Sequence, residues 1–422
     1  MKAHIITIGD ELLIGQVIDT NSAWIAQQMN ALGIFVEQRT SVGDTLPQII
    51  EAVQRAGTQA QLVLITGGLG PTKDDITKKA LCTFFDTHLV FHEPTYLRLV
   101  HYFERIGRTL NDTFLEGLRQ QALLPANCTQ LTNNVGTASG MWFEKDNTIY
   151  ISMPGVPFEM KHIVENEVIP RLQKNSALQP IVHRTLLTAG VGETQLAKEL
   201  EHFEHNLPHN IKLAYLPDIA AVRLRLTARG EADTHHTLQQ VVDDQTAQMR
   251  QLVNQYVFGT ENDTLESVIG QILVERGYTM ATAESCTGGY IAHKITAQTG
   301  ASAYFKGATV AYSNEIKTQI LGVQQSTLDT YGAVSEQTVT AMLRGILRLY
   351  GANVGIAISG IAGPGGGTPE KPVGTCWVAV GDINHQRTLY LQVGPRDRQI
   401  NIQAFTTLAL NALRKFLLDN KE

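Results

Sequence analysis

Twice along this chain an apolar, β-branched run ends in a glycine-rich turn and is followed by residues spaced for a helix, and a stretch of different texture separates the two occurrences. In the first, residues 4–8 and 61–66 (QLVLIT) read as strands, the latter running into Gly67-Gly68-Leu69-Gly70-Pro71-Thr72. Between them, residues 21–32 and 46–56 read as helices, with Trp24, Ile25, Met29 and Leu32 along one side of the earlier segment. Strand, helix, strand order predicts a doubly wound parallel sheet, and such sheets bind ligands at the carboxyl ends of their strands.

The second occurrence starts near Asp263, which can cap a helix while Glu266 completes a capping box; Leu265, Val268, Ile269, Ile272 and Leu273 then repeat at helical spacing. Strands are predicted at 278–283, 309–312, 354–359, 375–380 and 388–393, and helices at 289–298 and 314–321. Ser335 caps a long helix, stapled by Val334 and Val339. Residues 400–418 close the region as an amphipathic helix with Phe405, Leu408, Leu413, Phe416 and Leu417 inward. Between the two occurrences, short strands at 184–187, 211–215 and 222–228 and helices near 193–203 and 233–254 predict a small α+β module, a spacer or dimerisation unit. The expected fold class is two three-layer α/β domains, 1–170 and 259–422, joined by that module at 171–258.

With 43% apolar and 18% charged residues the chain falls in the ordinary soluble globular class. A formal charge of −6 gives no electrostatic footprint for nucleic acid. Cys82, Cys128, Cys286 and Cys376 form no C-x-x-C pair, which speaks against a disulfide framework or zinc knuckle and for a reducing, cytoplasmic setting. No segment reads as a signal peptide or membrane helix. His202, His205 and His209 lie on or near an acidic helix and read as a solvated face.

In the N-terminal region, the glycines of GGLGPTKDD let backbone N–H groups approach an anion, and Asp74 with Asp75 can hold a hard divalent cation that bridges to a phosphate. Complementing the helix dipole accounts for the same two carboxylates equally well. Three more strand-end stretches accompany this one: Gly9-Asp10-Glu11-Leu12-Leu13 with Gly15 and Asp19-Thr20-Asn21, Gly136-Thr137-Ala138-Ser139-Gly140, and Met153-Pro154-Gly155-Val156-Pro157. Together they resemble the molybdopterin-binding fold in the version that forms the N-terminal half of the CinA family. The family commonly has Pro where this chain has Ser139. The resemblance implies a metal-dependent ADP-ribose pyrophosphatase, with Gly9, Glu11, Asn21, Gly67, Gly68, Gly70, Thr72, Pro154 and Gly155 around the nucleotide. Asp44, Asp74 and Asp75 would hold the divalent metal ion.

In the C-terminal region, Glu284-Ser285-Cys286-Thr287-Gly288-Gly289 follows a predicted strand and precedes a helix. Such a turn can expose a nucleophilic serine beside an oxyanion hole, and it can equally be a helix cap. Tyr312 and Lys317 follow in Val310-Ala311-Tyr312-Ser313-Asn314-Glu315-Ile316-Lys317, and a helix N-terminus near Lys317 would depress its pKa toward that of a base. Ser359-Gly360-Ile361-Ala362-Gly363-Pro364-Gly365-Gly366-Gly367 is a third strand-end loop, suited to wrap a phosphate or ribose. In this order the three elements resemble the nicotinamide-nucleotide amidase domain, the C-terminal half of the same family. The resemblance implies deamidation of nicotinamide mononucleotide without a metal or other cofactor. Ser285 would be the nucleophile, Lys317 its base and Tyr312 an assisting hydroxyl, with Thr287, Gly288, Gly360 and Gly363 lining the site. Many members carry Gly-Asp-Arg before the last helix where this chain has Gly394-Pro395-Arg396-Asp397-Arg398, so Arg396 and Arg398 are both candidates for the substrate phosphate. Cys286 is a rival nucleophile, but no His stands near it in sequence and small-residue packing suits it better. A homodimer acting on small nucleotides is expected, with no nucleic-acid or membrane partner. A non-catalytic nucleotide-binding protein with a regulatory or competence-associated role is the alternative, and the complete Ser285, Tyr312, Lys317 set favours the enzyme. Nucleic-acid binding by the middle module is disfavoured by the acidic balance and by the lack of a GXXG clamp.

Overall fold

A computed structural model describes residues 1–70, 76–175, 180–230 and 235–420. Two compact units emerge: Met1–Val182 with Arg229–Leu238, and His183–Ala228 with Gln239–Glu422. No helix among the described residues is long and apolar enough to cross a membrane.

Unit one is built on a six-stranded sheet, in spatial order Phe35–Val42, Lys2–Ile8, Leu62–Thr66, Thr148–Met153, Gly140–Lys145 and Thr129–Leu131. The first four run parallel, and the last two are added antiparallel. Side-chain alternation splits its core in two. Ile5 and Leu64 pack with Ile25 and Met29 of the helix Thr20–Ala31, whereas Ile6 and Ile65 pack with Ile49 and Val53 of the helix Leu46–Gln59. Helices on both faces make this the three-layer α/β arrangement expected. The edge strand Phe35–Val42 was not anticipated: no residue in it is buried, so it lacks the apolar signature of its neighbours.

Unit two holds a five-stranded sheet, ordered Phe305–Val310, Met280–Glu284, Val354–Gly360, Thr375–Gly381 and Gln386–Gln392. The first three strands are parallel and the last two antiparallel. The helices Leu265–Glu275 and Arg398–Asp419 cover one face, and Glu336–Tyr350, capped by Ser335, covers the other. A second, four-stranded sheet, Ile211–Asp218, Ala221–Arg229, Ile181–Ala189 and Val257–Thr260, corresponds to the middle module.

Two local expectations are corrected. The capping box of Leu265–Glu275 is one residue later than Asp263 and Glu266: the Thr264 hydroxyl accepts from Ser267 N–H (3.1 Å), and the Ser267 hydroxyl accepts from Thr264 N–H (2.9 Å). Asp263 instead accepts from Thr260 N–H (2.9 Å), and Glu266 turns inward to pair with Lys294 (3.0 Å). The last helix is not one-sided either. Leu408 is only half-buried, whereas Asn401, Asn411 and Arg414 are buried. Arg414 donates to the Val257 carbonyl (3.1 Å) and to Asn411 Oδ1 (3.0 and 3.1 Å), and Asn411 donates to the Ala189 carbonyl (3.3 Å). The middle module thus supplies a second packing face, and burial pulls the Arg414 pKa down.

Candidate active site

The parallel strands of unit two bring Ser285, Lys317 and the loop after Val354–Gly360 to one cleft of about 250 Å³, lined also by Cys286, Tyr312, Gly360, Gly363 and Arg398. Ser285 follows the strand Met280–Glu284, where its N–H donates to the Ile358 carbonyl (3.0 Å). Lys317 lies in the helix Asn314–Gln319, capped by Ser313, and is 1% exposed. Its Nζ sits 3.2 Å from Ser285 Oγ, 2.8 Å from the Ala311 carbonyl and 3.3 Å from the Tyr312 carbonyl.

An ammonium fills all three contacts as a donor. A neutral amine has two N–H donors and one lone pair, so donation to both carbonyls leaves the lone pair for the Ser285 hydroxyl proton. The Lys317 pKa is lowered, chiefly by burial, while the charge of an ionised Cys286 would act in the opposite direction. Desolvation, and not the helix terminus, is therefore the cause.

Backbone donors complete the arrangement. Among the described residues, the N–H groups of Cys286 and Thr287 donate to no protein acceptor, a pair suited to an oxyanion. Gly360 must be glycine, because an added Cβ would stand 2.7 Å from the Thr375 carbonyl oxygen. Asn401, fully buried, donates to the carbonyls of Ala362 (3.0 Å) and Arg396 (3.3 Å) and so ties the glycine loop to the segment before the last helix.

The two arginine candidates separate. Arg398 donates to the Gly363 carbonyl (2.6 Å) and to the Tyr312 hydroxyl (3.1 Å) at the cleft mouth, while Arg396 is exposed and lines no part of it. Tyr312 is 63% exposed, a rim residue held by Arg398. Thr287 and Gly288 face a neighbouring cleft of about 330 Å³, and the Thr287 hydroxyl is committed to Glu284 (2.8 Å). Cys286 packs in the core with Cys376, whose thiol pKa is pushed up by burial and by Cys286. The sequence offers no role for Asn401 or Glu284; a glutamate directly before Ser285 and five residues from Gly289 is the available signal for the latter.

In unit one the loops at the strand ends also converge. Gly67 N–H donates to the Met153 carbonyl (3.1 Å), the Thr66 hydroxyl to the Pro154 carbonyl (2.8 Å), and Asn21 Nδ2 to the Gly155 carbonyl (2.7 Å). The approach is close: a Cβ on Gly155 would stand 3.3 Å from Gly67 Cα, tight enough that one of the two strand-end loops would have to shift slightly. Gly68 is drawn to Thr77, whose N–H meets its carbonyl (3.3 Å), while Gly70 and Glu11 are exposed. Gly9 donates to Val42. Asp44 is joined by Asp10, which sequence reasoning had not singled out: each accepts the other's backbone N–H (3.0 and 3.1 Å). These are hard oxygen donors of the kind divalent cations take, but no group of three metal-ligating side chains occurs among the described residues, and Thr72, Asp74 and Asp75 lie outside them. Half-buried Arg98 donates to the carbonyls of Asn133, Gly136 and Thr137 and ties that loop together.

Comparison with known proteins follows these regions. The family model described as the CinA C-terminal domain matches residues 262–417, a probable molybdopterin binding domain matches 4–174, and a damage-inducible protein CinA KH domain matches 183–259. A CinA-like protein of Cytophaga hutchinsonii is 46% identical over 419 residues, 99% of each chain. A putative competence-damage inducible protein of Halothermothrix orenii is 38% identical over 417 residues, again 99% of each. Among solved structures, a competence/damage inducible protein from Agrobacterium tumefaciens shares 39% identity, covering 36% of this chain and 93% of its own, with a TM-score of 0.36. End-to-end similarity at these levels leads to one conclusion: the chain belongs to the CinA family.

Proposed function

We propose that unit two hydrolyses the amide of nicotinamide mononucleotide through an acyl-enzyme on Ser285. The observation that carries this reading is the contact between Lys317 Nζ and Ser285 Oγ, 3.2 Å, with Lys317 almost fully buried and its remaining donors on two carbonyls. Neutral Lys317 takes the Ser285 proton as Oγ bonds to the carboxamide carbon. The N–H groups of Cys286 and Thr287 receive the oxyanion, and the proton passes to the departing nitrogen, which leaves as ammonia. Water then attacks the ester, Lys317 accepts its proton and passes it to the departing Ser285 oxygen, and nicotinate mononucleotide is released. Arg398 at the cleft mouth is the cation for the substrate phosphate, with the Gly360–Gly367 loop alongside.

Unit one carries, in this reading, a divalent-metal-dependent hydrolysis of ADP-ribose. Asp44, with Asp74 and Asp75, would hold the metal ion that neutralises the pyrophosphate, and Asp10 stands beside Asp44 to set its position. The protein is proposed to work as a homodimer in the cytoplasm. Ammonia release from nicotinamide mononucleotide by the purified full chain, with and without chelator, tests unit two, and divalent-dependent hydrolysis of ADP-ribose tests unit one. Release that persists with chelator supports the metal-free amidase, and its absence from active-site-intact protein defeats the reading.

A further inference from the structure

One buried carboxylate in unit two has no part in the steps above. Glu284 is fully buried and ends the strand that delivers Ser285. Five donors converge on it: the Thr282 hydroxyl (3.2 Å) and Ala292 N–H (2.8 Å) on Oε1, and the Thr287 hydroxyl (2.8 Å) with the N–H groups of Gly289 (3.0 Å) and Ile291 (3.1 Å) on Oε2. A carboxylate can be buried at tolerable cost only when its oxygens are filled in this way. Filling them ties the turn after Ser285 and the start of the helix Tyr290–Thr296 to a single side chain. The turn so held passes through two left-handed glycines, Gly288 (φ +61°) and Gly289 (φ +95°), a path with little intrinsic preference to keep its shape. It is also the turn whose Cys286 and Thr287 N–H groups, among the described residues, donate to no protein acceptor.

We propose that Glu284 is a positioning residue, whose negative charge holds the turn in the shape that leaves those two N–H groups to the oxyanion. It acts through the backbone and touches no substrate atom. The catalytic consequence rests on the amidase reading, but the conformational one does not. Glu284→Gln keeps the shape of the side chain and removes the charge. Its NH2 group must face Ala292 N–H on one side or Gly289 and Ile291 N–H on the other, so at least one donor is orphaned.

Two rates on the full chain test this: labelling of Ser285 by a fluorophosphonate probe, which needs the nucleophile and oxyanion site but no nucleotide, and ammonia release from nicotinamide mononucleotide, resolved into kcat and KM. Glu284→Gln should lower labelling and kcat by about 100-fold, the scale of losing an oxyanion donor, with KM within about threefold. Formate, supplied to Glu284→Ala, should restore labelling at least about tenfold where chloride does not. A folded Glu284→Gln labelled at the wild-type rate would overturn the proposal, as would a loss confined to KM; if Glu284→Ala fails to fold, the Gln variant decides. Wild-type protein that is labelled yet releases no ammonia would sink the substrate reading, while the labelling comparison still judges Glu284.

Discussion

Units one and two end their parallel strands in glycine-rich loops of much the same composition, yet the side chains behind those loops differ in kind. In unit two a lysine and a serine are buried together, the lysine pKa lowered by lack of water. In unit one two acidic residues at the strand ends, exposed Asp10 and half-buried Asp44, cap each other's backbone. Glycine loops give a ligand somewhere to lie; a desolvated nucleophile and base give it something to react with. On the proposed reading, unit one would need an added ion for its chemistry, whereas unit two would carry its own.

The severest way to break that contrast is to remove the pair. Ser285→Ala and Lys317→Met should each lower ammonia release by roughly a thousandfold or more, the usual cost of a nucleophile or its base, with circular dichroism unchanged. Wild-type turnover in Ser285→Ala would move the chemistry elsewhere. For unit one, Asp75→Asn should lower divalent-dependent ADP-ribose hydrolysis by about a hundredfold, as expected when a metal carboxylate is lost, and leave the amidase intact. Unchanged hydrolysis would take Asp75 out of the site, and a falling amidase rate would erase the independence of the two chemistries.

A smaller effect separates the serine from its neighbour. Cys286→Ala removes a core-packed thiol, and ammonia release should fall by less than about tenfold. A dead but folded Cys286→Ala beside an active Ser285→Ala would hand the nucleophile to the cysteine. The smallest effect concerns stability. The Lys317 pKa is depressed in the folded state, so at any pH below that value the buried ammonium is a cost, relieved as pH rises toward the ordinary lysine value. Lys317→Met should therefore melt a few degrees higher than wild type near neutral pH, with the gap closing by about pH 10. A gap independent of pH would mean that desolvation is not what Lys317 endures.

Much of this was legible in sequence because it was written in periodicity and in strand-to-turn junctions. The parallel core strands announced themselves by apolar runs, and the Ser285, Lys317 and Gly360 elements stood out only jointly, by their order along the chain and the family it resembles. What escaped was decided by packing. Phe35–Val42 is an exposed edge and carries no apolar pattern. Thr264 with Ser267 and Asp263 with Glu266 are equally good capping boxes on paper, and only the rival partners of the second pair, Thr260 N–H and Lys294, choose between them. Glu284 and Arg414 belong to residue types that are almost always exposed; Arg414 is buried against the Val257 carbonyl, which no local window contains, and the donors to Glu284, all within eight residues of it, meet the carboxylate only once the turn has folded back on the strand end. The choice of Arg398 over Arg396 likewise depends on where the glycine loop and Tyr312 arrive in space.

The burial of Arg398–Asp419 on more than one face has a consequence for how the protein is made. This helix is the centre of unit two, and it lies C-terminal to nearly everything that packs on it. A ribosome adding about 5–20 residues per second spends roughly 10–40 s between the first strand of the middle module and this helix. For that interval the Val257 and Ala189 carbonyls have no Arg414 or Asn411 to meet, and one face of the five-stranded sheet has only the helix Leu265–Glu275 and its neighbours to cover it. Unit two must therefore close late and all at once, so that a chain interrupted before Arg398 would be an aggregation-prone fragment and not a smaller enzyme.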